Sequence, residues 1–156
     1  MPCPAEHWRC GDEHSRTSLT CFEEGSCCSQ AVLSTFGPQL GLDGPTALRV
    51  AAAFGGGMGR RGETCGAVTG AFMVMGLKYG RTRADGEEAK EKAYSLVNEF
   101  VDEFESRNGS IMCRELFGCD ISTPEGLEVA REKNLWNSFC PSFVRDAAEN
   151  IEQILG

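Results

Sequence analysis

From Glu23 onward the apolar residues of this chain recur every three or four positions, and no segment alternates convincingly with period two. That pattern predicts an all-α fold, a single-domain bundle of about five to seven helices. Gly25 breaks the chain, Ser26 caps, and CCSQAVLSTF follows as a helix with Val32, Leu33 and Phe36 turned inward until Gly37-Pro38 stops it. Asp43 to Pro45 opens a second helix, ALRVAAAF, closed by Gly55. Thr64 is the expected N-cap of a third, which puts Cys65 in its first turn. Asp85 and Glu88 read as a capping box for a long helix whose Leu96, Val97, Phe100, Val101 and Phe104 share one face, ended by Asn108-Gly109. Ser110 is placed to cap IMCRELF, and Thr123-Pro124-Glu125 opens a further helix. The last helix is expected to start at Pro141, with Phe143, Val144, Ala147, Ile151, Ile154 and Leu155 on one side. Residues 1–20 are polar and weakly patterned and read as an arm with a short helix, leaving 21–156 as the helical domain.

Charge narrows the choice of partner. A formal charge of -8 and a pI near 4.8 argue against a nucleic-acid or anionic-membrane surface, which needs an excess of Lys and Arg. No apolar run reaches the roughly 18 to 20 residues that cross a bilayer. The opening MPCPAEHWRCGDEH has neither a basic start nor an apolar core, so it does not read as a signal peptide, and a cytoplasmic location is expected. A redox partner protein is the expected contact, and a homodimer through the small-residue strip Gly66, Ala67, Gly70, Ala71 or through the long helix is a further option.

Nine cysteines change the picture most, at 3, 10, 21, 27, 28, 65, 113, 119 and 140. In a chain of this length with an odd count they point to metal or redox chemistry before a disulfide framework. On the expected helices, Cys27 and Cys28 follow Ser26, Cys65 follows Thr64, Cys113 follows Ser110 by one turn, and Cys140 precedes Pro141. Four helices thus begin with a cysteine. If these N-termini converge, unpaired N–H groups surround the sulfurs, which suits thiolates or the negative charge of a metal–sulfur cluster. Arg60 and Arg61 upstream of Cys65 add to that field and favour its thiolate. The bland alternative is that cysteine, a small hydrophobe, fills a bundle core. Cys3, Cys10, Cys21 and Cys119 are left with that reading. Cys3, His7, Cys10 and His14 would share a face on a continuous helix and form a second zinc site, but Pro2 and Pro4 weaken such a helix.

The runs GSCCSQAVLSTF, FGGGMGRRGETCGAVTGAFMVMGL, NGSIMCRELFG and LWNSFCPSFVRDAAENIEQIL resemble the successive blocks of the redox-active C_GCAxxG_C_C family, named for four cysteines and a CGAxxG motif. The resemblance covers about residues 20–155. It implies that the four cysteines are Cys28, Cys65, Cys113 and Cys140, with Cys27 the one ambiguity, and that CGAxxG is Cys65 to Gly70. It also implies a redox role, as a component of an oxidoreductase system, with a similar domain standing beside an iron–sulfur site in split-Soret cytochromes. There is no CxxCH, so no covalent haem is implied.

Three functions fit these residues. Cys28, Cys65, Cys113 and Cys140 ligate an iron–sulfur cluster for electron transfer, the preferred reading. Alternatively they carry thiol–disulfide or persulfide chemistry with Cys65 as the nucleophile. In the third reading they hold a structural zinc in an interaction module. Gly57, Gly59 and Gly62 form a literal GxGxxG, but the segment before it reads as helix and not strand, so its glycines are expected to let the loop close over the cysteines and not to bind a nucleotide.

Overall fold

The computed structural model describes residues 13–156. Among them are eight helices and no strand: α1 (Glu13–Glu23), α2 (Cys28–Phe36), α3 (Gly44–Ala51), α4 (Gly66–Tyr79), α5 (Glu87–Asn108), α6 (Cys113–Phe117), α7 (Pro124–Glu132) and α8 (Leu135–Leu155), with short 3₁₀ turns at Pro38–Leu40 and Ala52–Phe54. The all-α single domain is as the periodicity predicts. None of the described helices is long and apolar enough to cross a membrane.

Helix α2 forms the axis, packed against α1, α3, α4 and α8, while α5 closes the far side against α4 and α8. Ala31, Val32, Leu33 and Phe36 of α2 are fully buried. The strip Gly66, Ala67, Gly70, Ala71 faces α2 and is buried within the chain, so it is not free for a second copy. Gly70 is required there, because a Cβ on it would lie 3.0 Å from the Ser29 carbonyl oxygen and from Val32 Cβ. A row of rings continues the core across helices: Phe72 to Phe100 at 6.2 Å, Phe100 to Phe104 at 5.9 Å and Phe104 to Phe143 at 6.3 Å. Burying each ring is worth about 1.5–3 kcal/mol. Asn150, buried on α8, donates to the Phe100 carbonyl at 3.0 Å and fixes α8 on α5.

Several boundaries differ from the sequence reading. Helix α5 starts after Gly86 with no side-chain cap, so the capping box of Asp85 and Glu88 does not form. Helix α8 starts at Leu135, after Asn134 turns left-handed at φ 52°, and Pro141 lies inside it. Burial of Leu135, Cys140, Phe143 and Val144 holds the helix through the proline, which on its own would break it. Asp43 and Thr123 cap as expected, accepting from Thr46 N at 3.0 Å and Gly126 N at 3.0 Å. Helix α1 runs across residue 20 and packs on α2 and α8, with Ser15, Ser18 and Cys21 buried. Of the four residues read as an N-terminal zinc face, Cys3, His7 and Cys10 lie outside the described residues. His14 pairs with Glu152 at 3.2 Å and stacks on Phe36 at 4.8 Å.

Candidate functional site

At one end of the bundle the starts of α2, α4 and α6 meet the second turn of α8. Cys27 occupies the N-cap of α2, where its N–H donates to Gln30 Oε1 at 3.1 Å, and Cys28 is the first helical residue. Cys65 is itself the N-cap of α4, with φ -52° and ψ 136°. Ser26 and Thr64 therefore do not cap. Thr64 is extended because it pairs with Met112 in an isolated antiparallel bridge. Around that bridge the Cys65 N–H donates to the Ile111 carbonyl at 2.7 Å, and the Cys113 N–H donates to the Glu63 carbonyl at 2.7 Å. Arg114 secures the pairing from outside, with an ion pair to Glu63 at 2.6 Å and an Nε bond to the Gly62 carbonyl at 3.0 Å. Two hydrogen bonds thus fix Cys65 and Cys113 relative to each other before either side chain is considered. Cys140 lies within α8, so three helices, not four, begin at a cysteine.

The loop leading into this pairing is a left-handed turn. Gly56, Gly57, Met58, Gly59 and Arg60 are consecutive residues with φ between 65° and 68°. Gly59 N bonds to the Gly55 carbonyl at 2.9 Å, and Glu63 N to the Gly57 carbonyl at 3.0 Å. L-residues pay about 1–2 kcal/mol each for this conformation, which falls here on Met58 and Arg60. The turn lies on the cysteines: a Cβ on Gly57 would stand 2.7 Å from Cys113 Cβ, and one on Gly55 would stand 2.8 Å from Cys27 Cβ. The GxGxxG glycines therefore close the loop over the site, with no strand before them.

Cys27, Cys28, Cys65, Cys113 and Cys140 line one cavity of about 450 Å³. Its other walls include Phe22, Phe117, Trp136, Phe143 and Arg60. All but Cys27 are buried, and all five are free thiols. A hydrogen bond with Cys140 pushes the Cys28 thiol well above its ordinary value, and burial adds to the rise. Burial pushes Cys65 up to about 12, with the nearby Cys28 adding, against the opposing N–H groups of Ala67 and Val68. Cys113 is pushed up to about 12 by burial and then by Cys65, Cys28 and Cys119. The expectation of a thiolate at Cys65 is thus overturned: loss of water outweighs the helix N–H groups. Cys27 Sγ is 3.2 Å from Ser29 Oγ, and Ser29 gives its only hydroxyl proton to the Ala51 carbonyl at 2.8 Å, so Cys27 S–H is the donor. Among the described residues, no three His, Cys, Asp or Glu side chains gather closely enough for a single metal ion.

Residues 26–154 match the family model described as "Putative redox-active protein (C_GCAxxG_C_C)". The chain belongs to that family. Neither the curated proteins nor the solved structures give a match. The four cysteines that the resemblance implies, Cys28, Cys65, Cys113 and Cys140, are the buried sulfurs on the cavity. Cys27 joins the wall as a fifth sulfur. Cys119 acts on Cys113 but does not line the cavity, and Cys21 is disulfide-bonded. The sequence reading missed the pairing of Gly62–Cys65 with Ile111–Arg114, which is too short for a period-two signal. It also missed the aromatic wall, where Phe117 meets Trp136 edge-on at 5.7 Å.

Proposed function

We propose that Cys28, Cys65, Cys113 and Cys140 ligate an iron–sulfur cluster and that the protein transfers electrons to a redox partner protein. One observation carries this reading: four buried sulfurs from four separate elements line a single cavity much larger than an ion. The donor set fits. All-thiolate ligation is what such clusters take, and a bound cation would favour the ionised form of the Cys28, Cys65 and Cys113 thiols that burial raises. The Ala67 and Val68 N–H groups directed at Cys65 would stabilise a ligating sulfur. Bound there, a cluster supplies a one-electron couple; the chain fixes the four sulfurs through the Thr64–Met112 bridge and α8 and keeps water away with the glycine turn. Zinc is the weaker alternative, since no three ligands approach as one ion requires.

Iron, acid-labile sulfide and visible absorption on anaerobically purified protein test the proposal. Iron with sulfide is the expected result, abolished by Cys65→Ser and retained in Cys3→Ser; equal effects of the two substitutions would remove the basis for the quartet. A dithiol couple is the second reading: Cys28 and Cys140 share the cavity wall, and Cys140 acts on the Cys28 thiol. They are then the pair that would close, in place of a couple with Cys65 as the nucleophile. Protein with neither iron nor sulfide that loses two thiols on oxidation, mapped to Cys28 and Cys140, would establish it.

A further inference from the structure

We propose that the cavity mouth is a binding site for a small organic anion recognised by Arg60. The inference rests on the cavity being the working site, not on what the quartet holds. Arg60 lines the cavity beside the sulfurs yet is exposed to solvent, whereas Arg61 next to it is exposed and does not line it. Among the described residues Arg60 has no ion-pair partner, and Glu63, the nearest acid along the loop, is engaged by Arg114. The fold holds Arg60 in place at a cost. Its φ is 65°, a conformation that a non-glycine residue adopts at about 1–2 kcal/mol. Its stem lies over Gly56, where a Cβ would come within 2.9 Å of Arg60 Cγ. In a chain of net charge -8, an unpaired guanidinium fixed at the rim of a sulfur-lined cavity is a recognition element for negative charge. Phe117, Trp136 and Phe143 give the apolar wall against which the body of such an anion would rest.

Cys27 supplies the reporter, because it lines the same cavity, is half-buried and lies outside the quartet. Iodoacetate and iodoacetamide react with a thiol in the same way, the sulfur displacing iodide from carbon, and differ in charge. Labelling of the full chain is followed at the Cys27 peptide by mass spectrometry. Iodoacetate labelling should saturate with concentration while iodoacetamide labelling stays linear, and the rate ratio of the two should fall about fivefold in Arg60→Gln. Arg60→Lys should recover most of the ratio, and Arg61→Gln should keep it. The proposal is overturned if iodoacetate does not saturate, if the ratio survives Arg60→Gln, or if that substitution slows both reagents equally, which would mean that Arg60 acts on the thiol and not on the anion. Iron and sulfide are assayed on the same batch. Charge selection without a cluster would leave the anion site and remove the cluster reading, and a cluster with charge-blind labelling would do the reverse.

Discussion

Two neighbouring regions of this bundle, which meet at Phe143, are built on opposite principles. Around Phe36, Phe100 and Phe104, ordinary right-handed helices bury large side chains completely, and the rings of α5 continue into Phe143 of α8. In the cysteine region the backbone runs left-handed for five residues, two of them not glycine, and the burial there includes thiols that repel one another's ionised forms. The first region stabilises the fold; the second is held in place by it. The difference teaches where to look for function: strain and buried polar sulfur persist only where the surrounding packing over-determines them.

The largest effect should come from the packed region. Phe104→Ala removes a fully buried ring between Phe100 and Phe143 and should cost about 3–5 kcal/mol, read as a fall in the thermal or urea midpoint. A loss below about 1 kcal/mol would mean that this region is not the source of stability. Gly57→Ala should be nearly as severe in the other region, although it adds one methyl group. The new carbon would meet Cys113 Cβ and Glu63 N at 2.7 Å and the Glu63 carbonyl oxygen at 2.9 Å, in a residue at φ 67°. Left-handed strain and overpacking against backbone together suggest about 2–4 kcal/mol. The cysteine cavity should distort with it, so urea unfolding and any iron content should fall together.

That contrast also explains what could be read from the chain alone. The packed region was legible because its physics is periodic: Leu96, Phe100 and Phe104 announce a buried helix face, and Asp43 and Thr123 announce caps. The gathering of Cys28, Cys65 and Cys113 was legible because cysteines near helix starts stand out, whereas Cys140 was reached through a helix start at Pro141 that the structure does not have. The ionisation of Cys65 was not legible. Dipole and arginines are visible in sequence, but the burial that overrides them depends on α2 and α8 closing around it. Nor was the start of α8 at Leu135 legible, since Pro141 is a strong local signal and the packing of Cys140, Phe143 and Val144 that overrides it is not local.

Raised thiols give the cysteine region a pH signature that the packed region lacks. Below about pH 9 Cys65 and Cys113 are protonated in both folded and unfolded chains and contribute no slope. Above the ordinary value of 9.0 the unfolded chain releases protons that the fold still holds, up to about 12, so stability falls as pH rises through that window. The urea midpoint of protein stripped of iron and sulfide should therefore drop between about pH 7.5 and about pH 10.5, and the drop should be shallower in a Cys65→Ala, Cys113→Ala double variant. With a cluster on the quartet the sulfurs are already deprotonated, and this part of the slope should vanish. An identical slope with and without iron would speak against ligation by these two residues.

The smallest test sets the two regions against each other with mirror-image substitutions. Gly76 is exposed inside α4, and a Cβ there meets nothing within 4 Å. Gly76→Ala should stabilise by about 0.5–1 kcal/mol, because alanine loses less backbone freedom on folding. Met58 is exposed in the left-handed turn at φ 67°. Met58→Gly should also stabilise, but for the opposite reason: it removes about 1–2 kcal/mol of steric strain and returns about 0.5–1 kcal/mol in backbone entropy. Less glycine should thus help the bundle and more glycine should help the site, both read as small rises in the urea midpoint. If Met58→Gly instead lowered it, the side chain would be contributing more through contact than its backbone loses through strain. The left-handed turn would then be a packed part of the bundle and no longer a strained cover held over the cysteines.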